Sequence, residues 1–133
     1  MMPSSDADVL VVSGDIADRK TAERAISEGM ARFRRIDTLV NNSGIFMPKP
    51  FTEYTGADYA AMLDVNLTGF LNTTQLAVAE MEKQGSGHVV QITSLVDHAI
   101  DGVPSVLASL TKVAFPRKSG HWVTRISPLP AAG

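Results

Sequence analysis

The sequence predicts an α/β fold, a partial Rossmann-like parallel sheet with flanking helices. Short apolar, β-branched runs at 9–15 (VLVVSGD is 9–15), 36–42 (IDTLVNN) and 88–94 (HVVQITS) read as strands buried on both faces. Stretches with apolar residues at helical spacing separate them. Strand, helix, strand, helix, strand in that order is the pattern of parallel βαβ units.

Residues 1–8 are expected to be a flexible tail. In 19–35, Ala22, Ile26, Met30 and Phe33 fall on one helical face. The strand at 36–42 is stopped by Asn-Ser-Gly, and Pro48, Pro50 and Gly56 mark a loop over 45–57. A long helix is expected over 58–84, where Tyr59, Met62, Leu63, Phe70, Leu71, Val78 and Met81 recur at three- and four-residue steps. Thr55 and Asp58 have the spacing of an N-terminal capping box, with Asp in place of Glu. Gly-Ser-Gly at 85–87 ends the helix. After the third strand, a loop with Gly102 and Pro104 leads into a short helix through Lys112. The tail 116–133 is expected to be irregular; HWVTRIS within it is compatible with a short strand, ended by Pro128 and Pro130.

Composition bounds the function. With 133 residues, 44% hydrophobic and 20% charged, the chain fits one soluble domain with a core. A net charge of −2 argues against a nucleic-acid surface. The absence of cysteine excludes thiolate catalysis, thiolate metal sites and disulfides. No apolar run approaches the roughly 20 residues that span a bilayer. The acidic opening MMPSSDAD lacks the features of a secretion signal, so a cytoplasmic location with no membrane partner is expected.

In an open parallel sheet, ligands sit beyond the carboxyl ends of the strands. Asp15, the run Asn41, Asn42, Ser43 and Gly44, and Ser94 occupy those ends. Each also has a structural explanation: an Asp after a strand caps a helix or makes a turn, and Asn-Asn-Ser-Gly suits turn chemistry. Asn66 is more pointed. Within DVNLTG it stands beside Thr68 and Gly69, three poor helix formers together, which suggests a kink or a backbone group exposed for use.

Taken in order, GDIAD, NNSG, DVNLTG, GHVVQITS and LTK resemble the short-chain dehydrogenase/reductase family, from about Val9 to Ala114. The resemblance implies a partial dinucleotide-binding domain over 9–115, an NAD or NADP cofactor and an alcohol or carbonyl substrate. It implies that Asp15 and Ile16 contact the adenine ring. Asn41, Asn42, Ser43 and Gly44 match the turn passing close to the cofactor, with Ser43 in place of Ala. It further implies Asn66 in a proton relay through its backbone, Ser94 on the substrate carbonyl, and Lys112 on the nicotinamide ribose. It also implies a homo-oligomer formed through the helix 58–84.

Two departures bear on activity. A tyrosine phenol, of reference pKa about 10, is expected four residues before Lys112, where an ammonium charge lowers its pKa. Position 108 is Ala, flanked by Leu107 and Ser109, and the nearest tyrosines in sequence are Tyr54 and Tyr59. Ser109, a hydroxyl of high pKa pointing about 100° around the helix from position 108, does not substitute for it; His98, in the loop after Ser94, is a residue type suited to acid–base work, but a solvated loop histidine is the favoured reading. Second, no glycine-rich phosphate-binding turn follows a first strand in this sequence. In the sheet order 3-2-1-4-5-6, two strands would separate 9–15 from 36–42. The expectation is a truncated family member with impaired hydride transfer and weak cofactor binding. The alternatives are a non-catalytic, oligomerising interaction module or an incomplete product.

Overall fold

The structure, a computed structural model, describes residues 8–92 and, as backbone, 121–126. The fold is α/β. Helix α1 spans Arg19–Phe33 and strand β1 spans Thr38–Asn41; a short 3-10 turn at Phe51–Glu53 leads into α2, Gly56–Leu63. A π-helical turn over Asp64–Thr68 joins α2 to α3, Gly69–Gln84, which is followed by β2, Gly87–Ile92, and β3, His121–Ile126.

The sheet order is β1-β2-β3. β1 and β2 are parallel, with Thr38 opposite His88 and Asn41 opposite Gln91. β3 runs antiparallel to β2, from Gly87 opposite Ile126 to Ile92 opposite His121. The sheet is therefore mixed, and a segment expected to be irregular supplies its third strand. Pro128 and Pro130 lie beyond that strand, so every residue of HWVTRI keeps its N–H for the ladder.

Residues 9–15 correct the sequence expectation. They form no strand and are not buried: Val9 is 50% and Val11 65% exposed. Strand-like composition needs a neighbouring strand to become a strand, and none of the described strands lies alongside. The segment is held elsewhere, by the Arg24 guanidinium donating to the Ser13 carbonyl and by the Ala17 N–H donating to Asp15 Oδ1 at 2.9 Å.

α1 begins at Asp18, whose carboxylate accepts the Lys20 N–H at 3.0 Å, and ends with Arg34 in the left-handed region at φ 70°. Of its expected inner face, Ala22 is fully buried and Ile26 joins the core, whereas Phe33 faces solvent beneath the Arg32 guanidinium. The Thr55–Asp58 capping box forms as expected, with the Asp58 N–H donating to Thr55 Oγ1 and the Thr55 N–H to Asp58 Oδ2. The long helix is present, but Tyr59 and Leu71 lie outside, 50% and 54% exposed.

Ala77 and Met81 of α3 pack on Val89 of β2, with Ile26, Ile36, Leu39 and Val78 around them. Gly87 belongs to this packing, since any Cβ there would overlap the Met81 side chain. α3 stops at Gly85, whose φ of 78° favours glycine. Gln84 then fixes the start of β1: its amide accepts the Ile36 N–H and donates to the Ile36 carbonyl, both at 2.8 Å.

Candidate functional site

The described site residues meet at the carboxyl ends of β1 and β2, where α3 and the turn after residue 15 close over the sheet. Asn41 ends β1. Its Nδ2 donates to Thr74 Oγ1 and its Oδ1 accepts from Thr73 Oγ1, each at 2.8 Å. Both ends of this amide are therefore engaged in tying the strand to α3. Asn42, Ser43 and Gly44 follow on the surface.

Asn66 is 1% exposed and sits inside the π-helical turn. The Ile45 N–H donates to Asn66 Oδ1 at 2.9 Å, and Asn66 Nδ2 donates to the Ile45 carbonyl at 3.3 Å. The side-chain amide thus acts on residue 45 as a strand neighbour would, the same two-point hold that Gln84 has on Ile36. The disturbance expected around DVNLTG is this turn, whose wider i→i+5 spacing accommodates the poor helix formers.

Ile16 packs where α3 comes nearest. A Cβ at Gly69 would lie 2.8 Å from Ile16 Cγ2, so glycine permits the approach. Asn72 Nδ2 donates to the Ala17 carbonyl at 3.3 Å, and Arg19 Nη1 to Gln75 Oε1 at 3.0 Å, fastening the same loop to α3. Asp15 serves as a turn residue, the structural role open to it from the sequence.

Ile16, Asn41 and Ser43 line one cavity of about 90 Å³, together with Gly69, Thr73 and Gln91. Thr73, Thr74 and Gln91 were not singled out from the sequence. A signal for Gln91 exists there, as the polar member of the otherwise apolar run VVQI. It is 2% exposed and its Oε1 accepts no hydrogen bond, while its Nε2 donates to the Ile92 carbonyl at 3.2 Å. Ser94, Ala108 and Lys112 lie outside the described residues. Among the described residues no cluster of His, Cys, Asp or Glu is arranged to hold a metal ion, and no helix is long and apolar enough to cross a membrane.

The family model for short chain dehydrogenases matches residues 2–106. The chain belongs to that family. An uncharacterized oxidoreductase of Staphylococcus aureus (strain USA300) is 30% identical over 134 residues, covering 93% of this chain and 58% of that protein. A short-chain dehydrogenase/reductase from Serratia marcescens superposes with a TM-score of 0.74 at 26% identity, covering 85% of this chain and 51% of that one. A gluconate 5-dehydrogenase from Burkholderia cenocepacia, solved in complex with NADP and tartrate, gives a TM-score of 0.67 at 33% identity over 76% of this chain and 39% of that one. The chain thus spans about half the length of the relatives it matches.

The described residues by themselves do not enclose a whole dinucleotide. Pockets that bury a drug-sized ligand enclose about 300–1,000 Å³, and the cavity beside Ile16 and Asn41, as the described residues bound it, offers about 90 Å³. The amides of Asn41 and Asn66 and the Asp15 carboxylate already hold protein groups. Among the described residues, what remains to meet a cofactor is one wall.

Proposed function

We propose that the chain is a short-chain dehydrogenase/reductase member related to NAD(P)-dependent oxidoreductases of alcohols or carbonyls, with impaired hydride transfer. The observation that carries the reading is the family match over residues 2–106, which spans Asp15, Asn41, Asn66 and Ser94. NADP in the Burkholderia cenocepacia relative supports NAD or NADP as the cofactor class, and a small-molecule substrate goes with it.

Ala108 supports impairment, because an alanine has no group to move a proton and losing a general acid–base costs about 10²–10⁴-fold in rate. The limited cavity supports weak cofactor binding. The roles assigned by resemblance to Asp15, Ile16, Asn42, Gly44, Ser94 and Lys112 belong to this reading, as does the cytoplasmic location.

Titration with NADH and NADPH, followed by calorimetry and cofactor fluorescence, tests it. The expected dissociation constant is about millimolar or weaker, near 4 kcal/mol. A constant in the low micromolar range would overturn the reading of a weak, one-walled site.

A second reading, a non-catalytic module that self-associates through helix 58–84, is favoured by the apolar outer face of α3. Leu71 is 54% exposed there, beside Phe70, Val78 and Ala79.

A further inference from the structure

Three of the four asparagines head the tripeptide Asn-X-Ser/Thr, with X other than proline: Asn41-Asn42-Ser43, Asn66-Leu67-Thr68 and Asn72-Thr73-Thr74. That tripeptide is the acceptor signal for N-linked glycosylation, in which the side-chain Nδ2 becomes bonded to a sugar. The fourth, Asn42, has Gly44 two residues on and carries no signal.

In the fold, all three acceptor nitrogens are already in use. Asn41 Nδ2 donates to Thr74 Oγ1 at 2.8 Å, Asn66 Nδ2 to the Ile45 carbonyl at 3.3 Å and Asn72 Nδ2 to the Ala17 carbonyl at 3.3 Å. Asn66 is 1% and Asn72 5% exposed, so neither leaves room for a sugar ring. A sugar forced into either place would break these contacts and carry hydroxyls into surroundings without partners for them.

Backbone geometry withholds two of the signals a second time. The signal consists of the residues at i and i+2, so an enzyme that reads it must reach both side chains together. Asn66 and Thr68 lie in the π-helical turn, and Asn72 and Thr74 lie in α3. Helical residues two apart do not share a face. Asn41 ends a strand, so there the amide is withheld by half-burial and its bond to Thr74 alone.

We infer that Asn41, Asn66 and Asn72 are cryptic N-glycosylation sites, open only while the chain is unfolded, so that glycosylation and folding exclude each other. The co-substrate class is a sugar activated by a diphosphate. The bond from its C1 to the diphosphate oxygen breaks, C1 bonds to Nδ2, the amide gives up one proton and the diphosphate leaves. Folding must therefore be complete before the chain meets such a transferase.

A soluble N-glucosyltransferase specific for this tripeptide, supplied with UDP-glucose and followed by mass spectrometry, tests the inference. Present during cell-free synthesis of the full chain, it should add hexose at positions 41, 66 and 72. Chains modified at 66 or 72 should lack the circular dichroism spectrum of the folded protein. Added to the folded protein, the enzyme should modify Asn66 and Asn72 about a hundredfold or more slowly than peptides spanning 64–70 and 70–76, because only the opened fraction reacts. Thr68 is exposed, and Thr68→Ala erases one signal while keeping Asn66. That variant should fold as the parent does and take no hexose at Asn66 under any condition.

Hexose added to Asn66 or Asn72 of the folded protein at the peptide rate would overturn the inference. So would co-synthesised chains that carry hexose there and still show the parent spectrum and urea midpoint. Co-synthesised chains left unmodified while the peptides react, or peptides that are refused, would show that the sites are not open acceptors even when unfolded.

Discussion

Replacing Asn66 by alanine removes a side chain that satisfies two backbone groups at once. Asn66→Ala deprives the Ile45 N–H and carbonyl of partners at 2.9 and 3.3 Å, in a partly buried setting. Each lost hydrogen bond costs about 1 kcal/mol net, and stranding a buried partner raises this to about 1–3 kcal/mol. Alanine recovers up to about 0.7 kcal/mol through helix propensity. The expected loss is therefore about 2–4 kcal/mol, a large share of the roughly 5–15 kcal/mol typical of a domain. Urea unfolding followed at 222 nm should show a midpoint lower by about 1–2 M, for a slope of about 2 kcal/mol/M. Amide exchange at Ile45 should accelerate in parallel. Asn66→Asp keeps the size but loses the N–H and sets an oxygen against the Ile45 carbonyl, so it should cost at least as much. A loss below about 0.5 kcal/mol, within the range of an ordinary surface substitution, with unchanged Ile45 exchange, would refute the two-point hold.

Two further outcomes are expected. Ala108→Tyr places a phenol four residues before Lys112, and at saturating cofactor the reduction of an activated ketone by NADPH should rise about 10-fold or more; the gain should vanish when Ser94→Ala or Lys112→Ala is added, and its absence would direct suspicion to the cofactor wall. The Lys49 ammonium, hydrogen-bonded at 2.6 Å, and the Thr55 N–H hold the Asp58 carboxyl below the usual carboxylate range. The contribution of this cap is thus present above the unfolded value of about 3.9 and is lost as pH falls through the lower folded value. Exchange protection factors at Asp58 and Tyr59 should drop over that acid range in the parent, and Asp58→Asn should remove the dependence.

Local signals in the sequence were sufficient wherever an element needs only its own residues. The capping box at Thr55 and Asp58, the stop at Gly85, and the weak helix formers around Asn66 all act over a few positions, and each appears where the pattern placed it. Elements that depend on a distant partner were not legible. Residues 9–15 have a strand's composition, yet strandhood is a relation between two segments, and none of the described strands lies alongside. The converse holds for His121–Ile126, whose extended chain finds the free side of β2 although prolines and charges surround it in sequence. In the site, Asn41 was legible as a strand-end residue. Its engagement by Thr73 and Thr74 was not, because those hydroxyls reach it only once α3 lies across the sheet.

The π-helical turn acts on the helix like a phase shifter in a periodic signal. A turn closing i→i+5 takes in one residue more than its α-helical equivalent, and each residue in a helix advances the azimuth by about 100°. The apolar stripe of α3 is consequently offset from that of α2, and the two halves of one nearly continuous rod address different neighbours. Met62 is buried ahead of the offset; Ala77 and Met81 are delivered to the sheet behind it. Residue count through Asp64–Thr68 therefore carries information that side-chain chemistry alone does not. One residue fewer would turn Asn72, Thr73, Ala77 and Met81 together away from their partners, whereas the loop over 45–50, with no helical phase to keep, has no such arithmetic to obey.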